Sequence, residues 1–335
     1  MKDFEKWIYL ISLSFIYGSA FILIKKGLNG LTPIQLASFR VIFSAFFLSI
    51  FGFKTLKLIP NNKWKWIVLT GFIGNFFPIY FFSFSQTVIN SSVAAVLSAM
   101  TPLFTIIFGF FIFGKSFNVK KIFGVLIGFT ATMFLVSNEI SINSNYGGKY
   151  SFLIILATIC YAVNTNLVKY KLKGVSIVAI ALGNFISVLP FGILIFCFSD
   201  FPIKTFYESP LILKSIGYIL ILAIIGSALA NIMFNKLISI SSPVFSVSVT
   251  FLLPIVGIGW GILDGEFFSK FQWLSCGFIL YGIYLVTQKK TIQNQLDLFY
   301  DNSDLLKELK KINVEDLTPI EAINKLNELK KKYDN

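Results

Sequence analysis

The sequence predicts an all-α membrane protein in which ten transmembrane helices form two inverted five-helix repeats, followed by a short cytoplasmic helical tail. The first observation is composition: 56% of the 335 residues are hydrophobic and 13% are charged, whereas soluble domains carry about 25% charged residues. The second is ten apolar stretches, most of them near the roughly 20 residues that a spanning helix needs. The third is that the stretches recur as two similar sets of five.

The ten predicted spans are separated by short loops that contain Lys, Gly, Pro and Asn, residues that commonly interrupt helices. Their approximate bounds are 7–24, 33–53, 66–87, 91–113, 121–138, 150–168, 175–198, 215–236, 243–263 and 271–287. The first stretch begins at Trp7 and lacks a small-residue cleavage pattern, so it predicts a first transmembrane helix rather than a signal peptide.

Lysine distribution predicts the orientation in the membrane, because lysines accumulate in cytoplasmic loops. With the N-terminus inside, the inner segments carry fifteen lysines and the outer segments six. Both termini are therefore predicted to be cytoplasmic. The whole net charge of +13 lies within residues 1–287, so we attribute it to membrane topology and expect no direct contact with nucleic acid.

The two sets of five spans share sequence features in the same order. Segment 16–25 matches segment 160–169 with Tyr and Lys at equal positions, and Pro102 in span 4 matches Pro254 in span 9. Because five is odd, the second set would insert upside down, as in inverted-repeat transporters. The predicted domains are a first repeat over 1–143, a second over 144–287, and a tail over 288–335.

Several chemistries are missing from the sequence. It contains no histidine, and its three cysteines lie inside apolar spans without metal spacing. It also lacks a Gly-rich phosphate loop of the nucleotide-binding type. We therefore predict no catalytic site, no metal, no cofactor and no direct use of ATP, which leaves an ion gradient or substrate exchange to drive any transport.

Several short motifs recur in order along the spans: Tyr17-Gly18-Ser19-Ala20-Phe21, Pro33 with Arg40, Ser91 to Pro102, and Pro254 with Gly265-Glu266. In these motifs the sequence resembles EamA-type transporters of the drug/metabolite transporter superfamily. The resemblance covers about residues 7–287. It implies ten helices around a central cavity that moves small metabolites, often outward. Two departures are Tyr17, where Trp is common, and Lys115, where Glu is frequent.

Arg40 is the only arginine in the chain, and it lies inside span 2. A charge at that depth costs about 2.5–3.5 kcal/mol on insertion scales. Such a residue faces a polar cavity or partner, or its long side chain reaches the membrane interface. In the first case, the anionic group of an anionic or zwitterionic substrate would be a natural partner.

Other polar residues within the spans are candidates for the same site, although interhelical hydrogen bonding would also explain each of them. The predicted substrate-binding set is Ser19, Arg40, Asn75, Tyr80, Gln86, Tyr161, Asn164 and Asn231. Pro102, Pro254 and Gly259 are predicted to kink or gate the helices, because proline breaks a backbone hydrogen bond and clustered glycine loosens a helix.

The composition changes after Gln288, and residues 305–313 and 319–333 predict two short amphipathic helices. The tail resembles the C-terminal segment of the mismatch-repair protein MutS, from Leu305 through Lys332. That resemblance implies a homo-oligomer formed through residues 303–333. Gln295–Phe299 resembles a peptide that docks on the DNA sliding clamp, which adds a second possible partner.

The function predicted from these features is secondary transport. The chain would move small polar metabolites, such as amino acids or related compounds, across the cytoplasmic (inner) membrane by alternating access, in the export direction. Its partners would be the substrate and the lipid bilayer. The alternative is a non-transporting membrane scaffold or receptor whose tail recruits a cytoplasmic partner.

Overall fold

A computed structural model describes residues 2–89, 91–115, 119–136, 147–202, 206–263, 270–287 and 319–333. The chain divides into two compact units, Met1–Gln288 and Lys289–Asn335. All regular secondary structure in the described ranges is helical.

The first unit contains fourteen described α-helices and two π-helical segments. The α-helices are α1 Lys2–Gly27, α2 Pro33–Gly52, α3 Trp64–Gly71, α4 Phe77–Ser85, α5 Ser91–Ser98, α6 Thr101–Phe111, α7 Val119–Val136, α8 Gly147–Lys171, α9 Ile177–Cys197, α10 Pro210–Ile221, α11 Ala230–Ile240, α12 Pro243–Val247, α13 Val249–Leu263 and α14 Lys270–Thr287. The first π segment is Phe72–Phe76 and the second is Leu222–Leu229.

Each predicted span falls largely on helical backbone. Six helical columns among the described residues are long and apolar enough to cross a membrane: Phe4–Gly27, Pro33–Leu58, Asn61–Ser85, Lys149–Lys171, Ile177–Cys197 and Pro210–Ile240. Three shorter apolar helices are Thr101–Phe111, Pro243–Val256 and Trp273–Val286. The fold is therefore that of a multi-pass helical membrane protein, while the total of ten crossings and their inverted arrangement stay predictions.

Three helices begin with the same local chemistry, a hydroxyl residue followed by proline. Thr32, Ser209 and Ser242 each accept a hydrogen bond from a backbone N–H in the first turn. The proline that follows lacks an N–H, which costs nothing in the first turn of a helix. At Thr32 the side chain of Gln35 returns a bond to the cap, which completes a capping box.

Four predicted spans are irregular, two in one way and two in another. Spans 3 and 8 each contain a π segment, and spans 4 and 9 are each interrupted. In span 4, α5 ends at Ser98 and α6 begins at Thr101; in span 9, α12 ends at Val247 and α13 begins at Val249. In a five-plus-five arrangement, spans 3 and 8 correspond, as do spans 4 and 9.

The three predicted gating residues lie on the interrupted spans. Pro102 is in the first turn of α6, so it begins a helix there instead of bending one from within. Pro254 lies inside α13. Gly259 is also in α13, although its surroundings fall outside the described part of the chain.

Helices α7 and α14 cross at unusually close range. A Cβ atom added at Gly124 would lie 2.7 Å from the backbone oxygen of Gly282, and one added at Gly282 would lie 2.6 Å from that of Gly124. Small residues at both positions let the two backbones approach, as in other membrane helix pairs.

We expect Gly124→Ala to destabilise this crossing by about 1–3 kcal/mol, because the methyl group meets backbone that has little room to move. The measurement is the thermal unfolding midpoint of the full chain in detergent. Gly277→Ala is the matched control on α14, since a Cβ at Gly277 would have no heavy atom of a described residue within 4 Å. Equal midpoints for the two variants would contradict the close crossing.

The second unit has one described helix, α15 Pro319–Tyr333, which coincides with the helix predicted over 319–333. Its apolar residues Ile320, Ile323 and Leu326 are exposed. The predicted helix over 305–313 and the peptide Gln295–Phe299 lie outside the described residues. Self-association through residues 303–333 and the clamp contact both stay predictions.

Candidate functional site

The first unit contains a cavity of about 120 Å³, far larger than the space that one buried water needs. Its walls come from α1, α2, α4, α5, α6, α8, α11 and α13, from both π segments, and from the last residue of α12. The cavity therefore lies where the irregular parts of spans 3, 4, 8 and 9 meet.

Arg40 on α2 lines this cavity and is 8% exposed. Its Nε donates a hydrogen bond of 2.6 Å to Oγ of Ser227 on the second π segment. One turn later Ser44 Oγ donates to the backbone oxygens of Arg40 and Ala223, at 2.6 and 3.0 Å. These contacts hold the arginine-bearing face of α2 against the second π segment.

The guanidinium of Arg40 has few protein partners. Among the described residues no carboxylate lies within 4.0 Å of it, and the bond to Ser227 is its single side-chain hydrogen bond. A guanidinium carries five N–H donors, so four remain without a described protein acceptor. The sequence left two alternatives for Arg40, a polar cavity or the membrane interface. In the structure Arg40 lines a cavity.

A chain of asparagine amides joins α11 to the first π segment. Asn235 Nδ2 donates to Asn231 Oδ1 at 2.9 Å, and Asn231 Nδ2 donates to Asn75 Oδ1 at 2.7 Å. All three residues line the cavity. At the end of this chain of amides, Asn75 Nδ2 is buried and has no partner among the described residues, and the same is true of Oδ1 of Asn164 on α8.

Aromatic rings form much of the remaining wall. Tyr17 meets Phe234 edge-on with ring centroids 6.3 Å apart, and Phe82 stacks on Tyr161 at 6.2 Å. Within the described part of the chain the hydroxyls of Tyr17 and Tyr161 make no hydrogen bond to protein. The cavity thus combines apolar ring surface with hydroxyl and amide groups and one positive charge.

The structure brings together five of the eight predicted substrate-binding residues: Arg40, Asn75, Tyr161, Asn164 and Asn231 line the cavity. Ser19, Tyr80 and Gln86 are not among its lining residues. The hydroxyl of Tyr80 is 2.8 Å from that of Ser38 and links α4 to α2. Gln86 is buried just after α4, and its amide has no hydrogen-bond partner in the part of the chain that the structure describes.

Six further polar residues line the cavity but were not in the predicted set: Tyr17, Ser98, Thr101, Ser227, Asn235 and Thr250. One signal could have identified two of them, because Ser227, Asn231 and Asn235 recur every four residues and so share a helix face. That signal is absent for three residues that flank the interruptions of spans 4 and 9, namely Ser98, Thr101 and Thr250. Because the helix is broken there, the sequence shows no helical periodicity that would place these side chains on one face.

Lys169, at the end of α8, has a structural role. Its Nζ donates to the backbone oxygens of Ile238, Ser239 and Ser241, at 2.7, 3.1 and 2.6 Å. Two of these carbonyls belong to the last turn of α11 and the third follows it. The ammonium therefore caps the C-terminus of α11, where a positive charge also favours the helix dipole.

Comparisons with known proteins agree with the membrane fold. The model of the EamA-like transporter family matches residues 6–137 and 148–288. The chain is 28% identical over 290 residues to the uncharacterized inner membrane transporter YedA of Escherichia coli, covering 84% of this chain and 90% of that one. It is 24% identical over 305 residues to an uncharacterized transporter of Synechocystis, covering 86% and 91%.

A plant relative and a solved structure extend the likeness. The chain is 26% identical to a WAT1-related chloroplast protein of Arabidopsis thaliana over 84% of this chain and 69% of that one. A crystal structure with 13% sequence identity superposes with a TM-score of 0.65 over 84% of this chain and 95% of that chain, so the two share a fold.

Proposed function

The chain belongs to the EamA-like transporter family and is a multi-pass membrane transporter rather than an enzyme, and from that premise we propose that it is a secondary transporter of small polar metabolites. The observation that supports this proposal most strongly is the buried guanidinium of Arg40. It lies at the cavity, and four of its N–H donors have no described protein acceptor. A non-transporting scaffold gains nothing from keeping this charge and the amide chain inside hydrocarbon.

The proposed architecture has ten spans in two inverted five-helix halves, residues 1–143 and 144–287, with both termini in the cytoplasm. The family model matches twice, once in each proposed half, which supports the duplication. The paired irregularities of spans 3 with 8 and 4 with 9 support it independently. Discontinuous helices at the interface of repeats form substrate sites in other transporters.

In the proposed cycle, the substrate binds at Arg40, Asn75, Tyr161, Asn164 and Asn231. The two halves then rock around the site, bending near Pro102, Pro254 and Gly259, to expose it to the other side of the membrane. We propose the cytoplasmic (inner) membrane as the location and export as the direction. The loss of intracellular substrate from cells that express the chain measures that direction.

The test of transport is a flux screen with the full chain in liposomes, using amino acids, nucleosides, monocarboxylates and other small polar metabolites. We expect at least one solute to move faster than through empty liposomes. Arg40→Ala should lower that flux about ten- to a hundredfold, because hydrogen bonds to a charged group contribute about 1.5–3 kcal/mol. Lys57→Ala, which removes an exposed charge away from the cavity, should leave flux unchanged.

The scaffold alternative gives the opposite result. If a folded, correctly inserted parent moves none of these solutes, transport is the wrong assignment. If solutes move and Arg40→Ala behaves like Lys57→Ala, the protein transports but its site lies elsewhere than at Arg40.

A further inference from the structure

The cavity has one charged residue among its described lining residues, Arg40, and that charge is positive. We infer that the transported solute is a small organic monoanion, a carboxylate on an apolar or aromatic body, rather than a zwitterionic amino acid. The inference rests on the proposed function and narrows its substrate class.

The geometry around Arg40 suits a carboxylate. The bond from Nε to Ser227 fixes one edge of the planar guanidinium and leaves the two terminal nitrogens free of described protein acceptors. Two parallel N–H donors match the two oxygens of a carboxylate, which gives a bidentate pair. The pair also neutralises a buried charge that has no counter-ion among the described residues.

A zwitterion fits the same wall less well. Its carboxylate would pair with Arg40, but its ammonium would enter a cavity with no carboxylate among the described lining residues. The occupied cavity would keep a net charge of +1, whereas a monoanion brings it to zero. Ring faces such as those of Tyr17 and Phe82 attract a cation only weakly by comparison with an ion pair.

The hydroxyls of Tyr17 and Tyr161 describe a second part of the solute, because both residues line the cavity and neither hydroxyl has a described protein partner. A hydroxyl can accept a hydrogen bond, so it favours a neutral donor on the solute, such as a hydroxyl or an amide N–H. The aromatic wall favours an apolar body beside it. Hydroxy acids and N-acylated amino acids carry this combination of one carboxylate, one neutral donor and an apolar body.

The experiment uses solutes that share a skeleton and differ in charge. 3-Phenyllactate is the anion, phenylalanine the zwitterion, phenylalaninamide the cation and phenyllactamide the neutral form; lactate, alanine, alaninamide and lactamide repeat the set at smaller size. The readouts are inhibition of flux in liposomes and the ligand-induced rise in unfolding temperature of the full chain in detergent. We expect the anion of one set to bind at least about tenfold more tightly than its zwitterion, equivalent to about 1.4 kcal/mol.

Variants at Arg40 separate charge recognition from general binding. Arg40→Gln should abolish the preference for the anion, Arg40→Lys should keep part of it, and Lys57→Gln should keep it fully. If Arg40→Gln does not fold, the inference is tested by the order in which the parent and Arg40→Lys prefer the anion, the zwitterion, the cation and the neutral solute.

The outcomes also separate this inference from the proposed function. Preferential transport of zwitterions, cations or neutral solutes, or an anion preference that survives Arg40→Gln in folded protein, overturns the inference and leaves transport standing. Failure of every solute in the wider flux screen removes the proposed function together with it.

Discussion

Replacing Gly74 by leucine is expected to reduce transport to the level of empty liposomes. Gly74 lies in the first π segment and lines the cavity. A Cβ at this position would lie 2.5–2.6 Å from the amide atoms of Asn164, closer than real Cβ contacts allow. The leucine side chain must therefore displace Asn164 and occupy space that the substrate needs.

The measurement is initial flux of the best solute from the screen, normalised to the amount of inserted protein. Gly217→Leu on α10 is the matched control, because a Cβ at Gly217 would lie more than 4 Å from every heavy atom of the described residues. Gly74→Ala, with a smaller intrusion, should give an intermediate flux. Parent-like flux in a folded Gly74→Leu protein would remove this cavity from the transport path.

Replacing Asn231 by leucine is expected to lower flux about ten- to a hundredfold and to reduce stability. Asn231 donates to Asn75 and accepts from Asn235, so the substitution breaks both bonds of the amide chain. Such bonds contribute about 0.6–1.7 kcal/mol each in membrane proteins. Losing two of them, together with a polar group at the cavity wall, accounts for the expected factor.

Asn235→Leu breaks one of the two bonds and should therefore have the smaller effect on both flux and unfolding temperature. Asn62→Leu, at an exposed position, controls for the loss of an amide in general. If Asn235→Leu is as damaging as Asn231→Leu, the chain of amides does not act in the order that the structure shows.

Much of the fold was accessible from the sequence, because apolar length and the chemistry of helix starts are local properties. Span 2 illustrates this: Thr32-Pro33 marks its start, and the helix runs from Pro33 to Gly52, against the predicted 33–53. Arg40 was identifiable as a candidate because a single charge within an apolar run is costly wherever the helix packs.

The side chains that face the cavity were harder to predict, because a helix face is decided by tertiary packing. On α1 the residues that line the cavity are Tyr17, Ala20, Phe21 and Ile24. They are spaced three and four residues apart and so share one helix face, and Ser19 lies off that face. Spans 1 and 3 are apolar on most sides, so periodicity alone does not identify the inner face.

Span 3 shows two further reasons why the cavity-facing side chains were hard to predict. The cavity is lined by Asn75, Ile79 and Phe82 of this span. Tyr80 therefore lies on another side of the helix, where its hydroxyl is hydrogen-bonded to that of Ser38. Gln86 lies eleven residues beyond Asn75, about 16 Å along a helix, and is past the cavity. The π segment adds a local change of register where Gly74 packs on Asn164, a long-range contact that the local sequence does not encode.

The cap that Lys169 provides has a mechanical consequence. Three hydrogen bonds from one ammonium join the end of α8 to the end of α11, so any separation of these two ends must first break them. Asn164 and Asn231 are carried on those same two helices. Asn231 is the second residue of α11, at the opposite end from the capped carbonyls. A change in the angle between α8 and α11 about the joined ends would therefore alter the distance between the two amides.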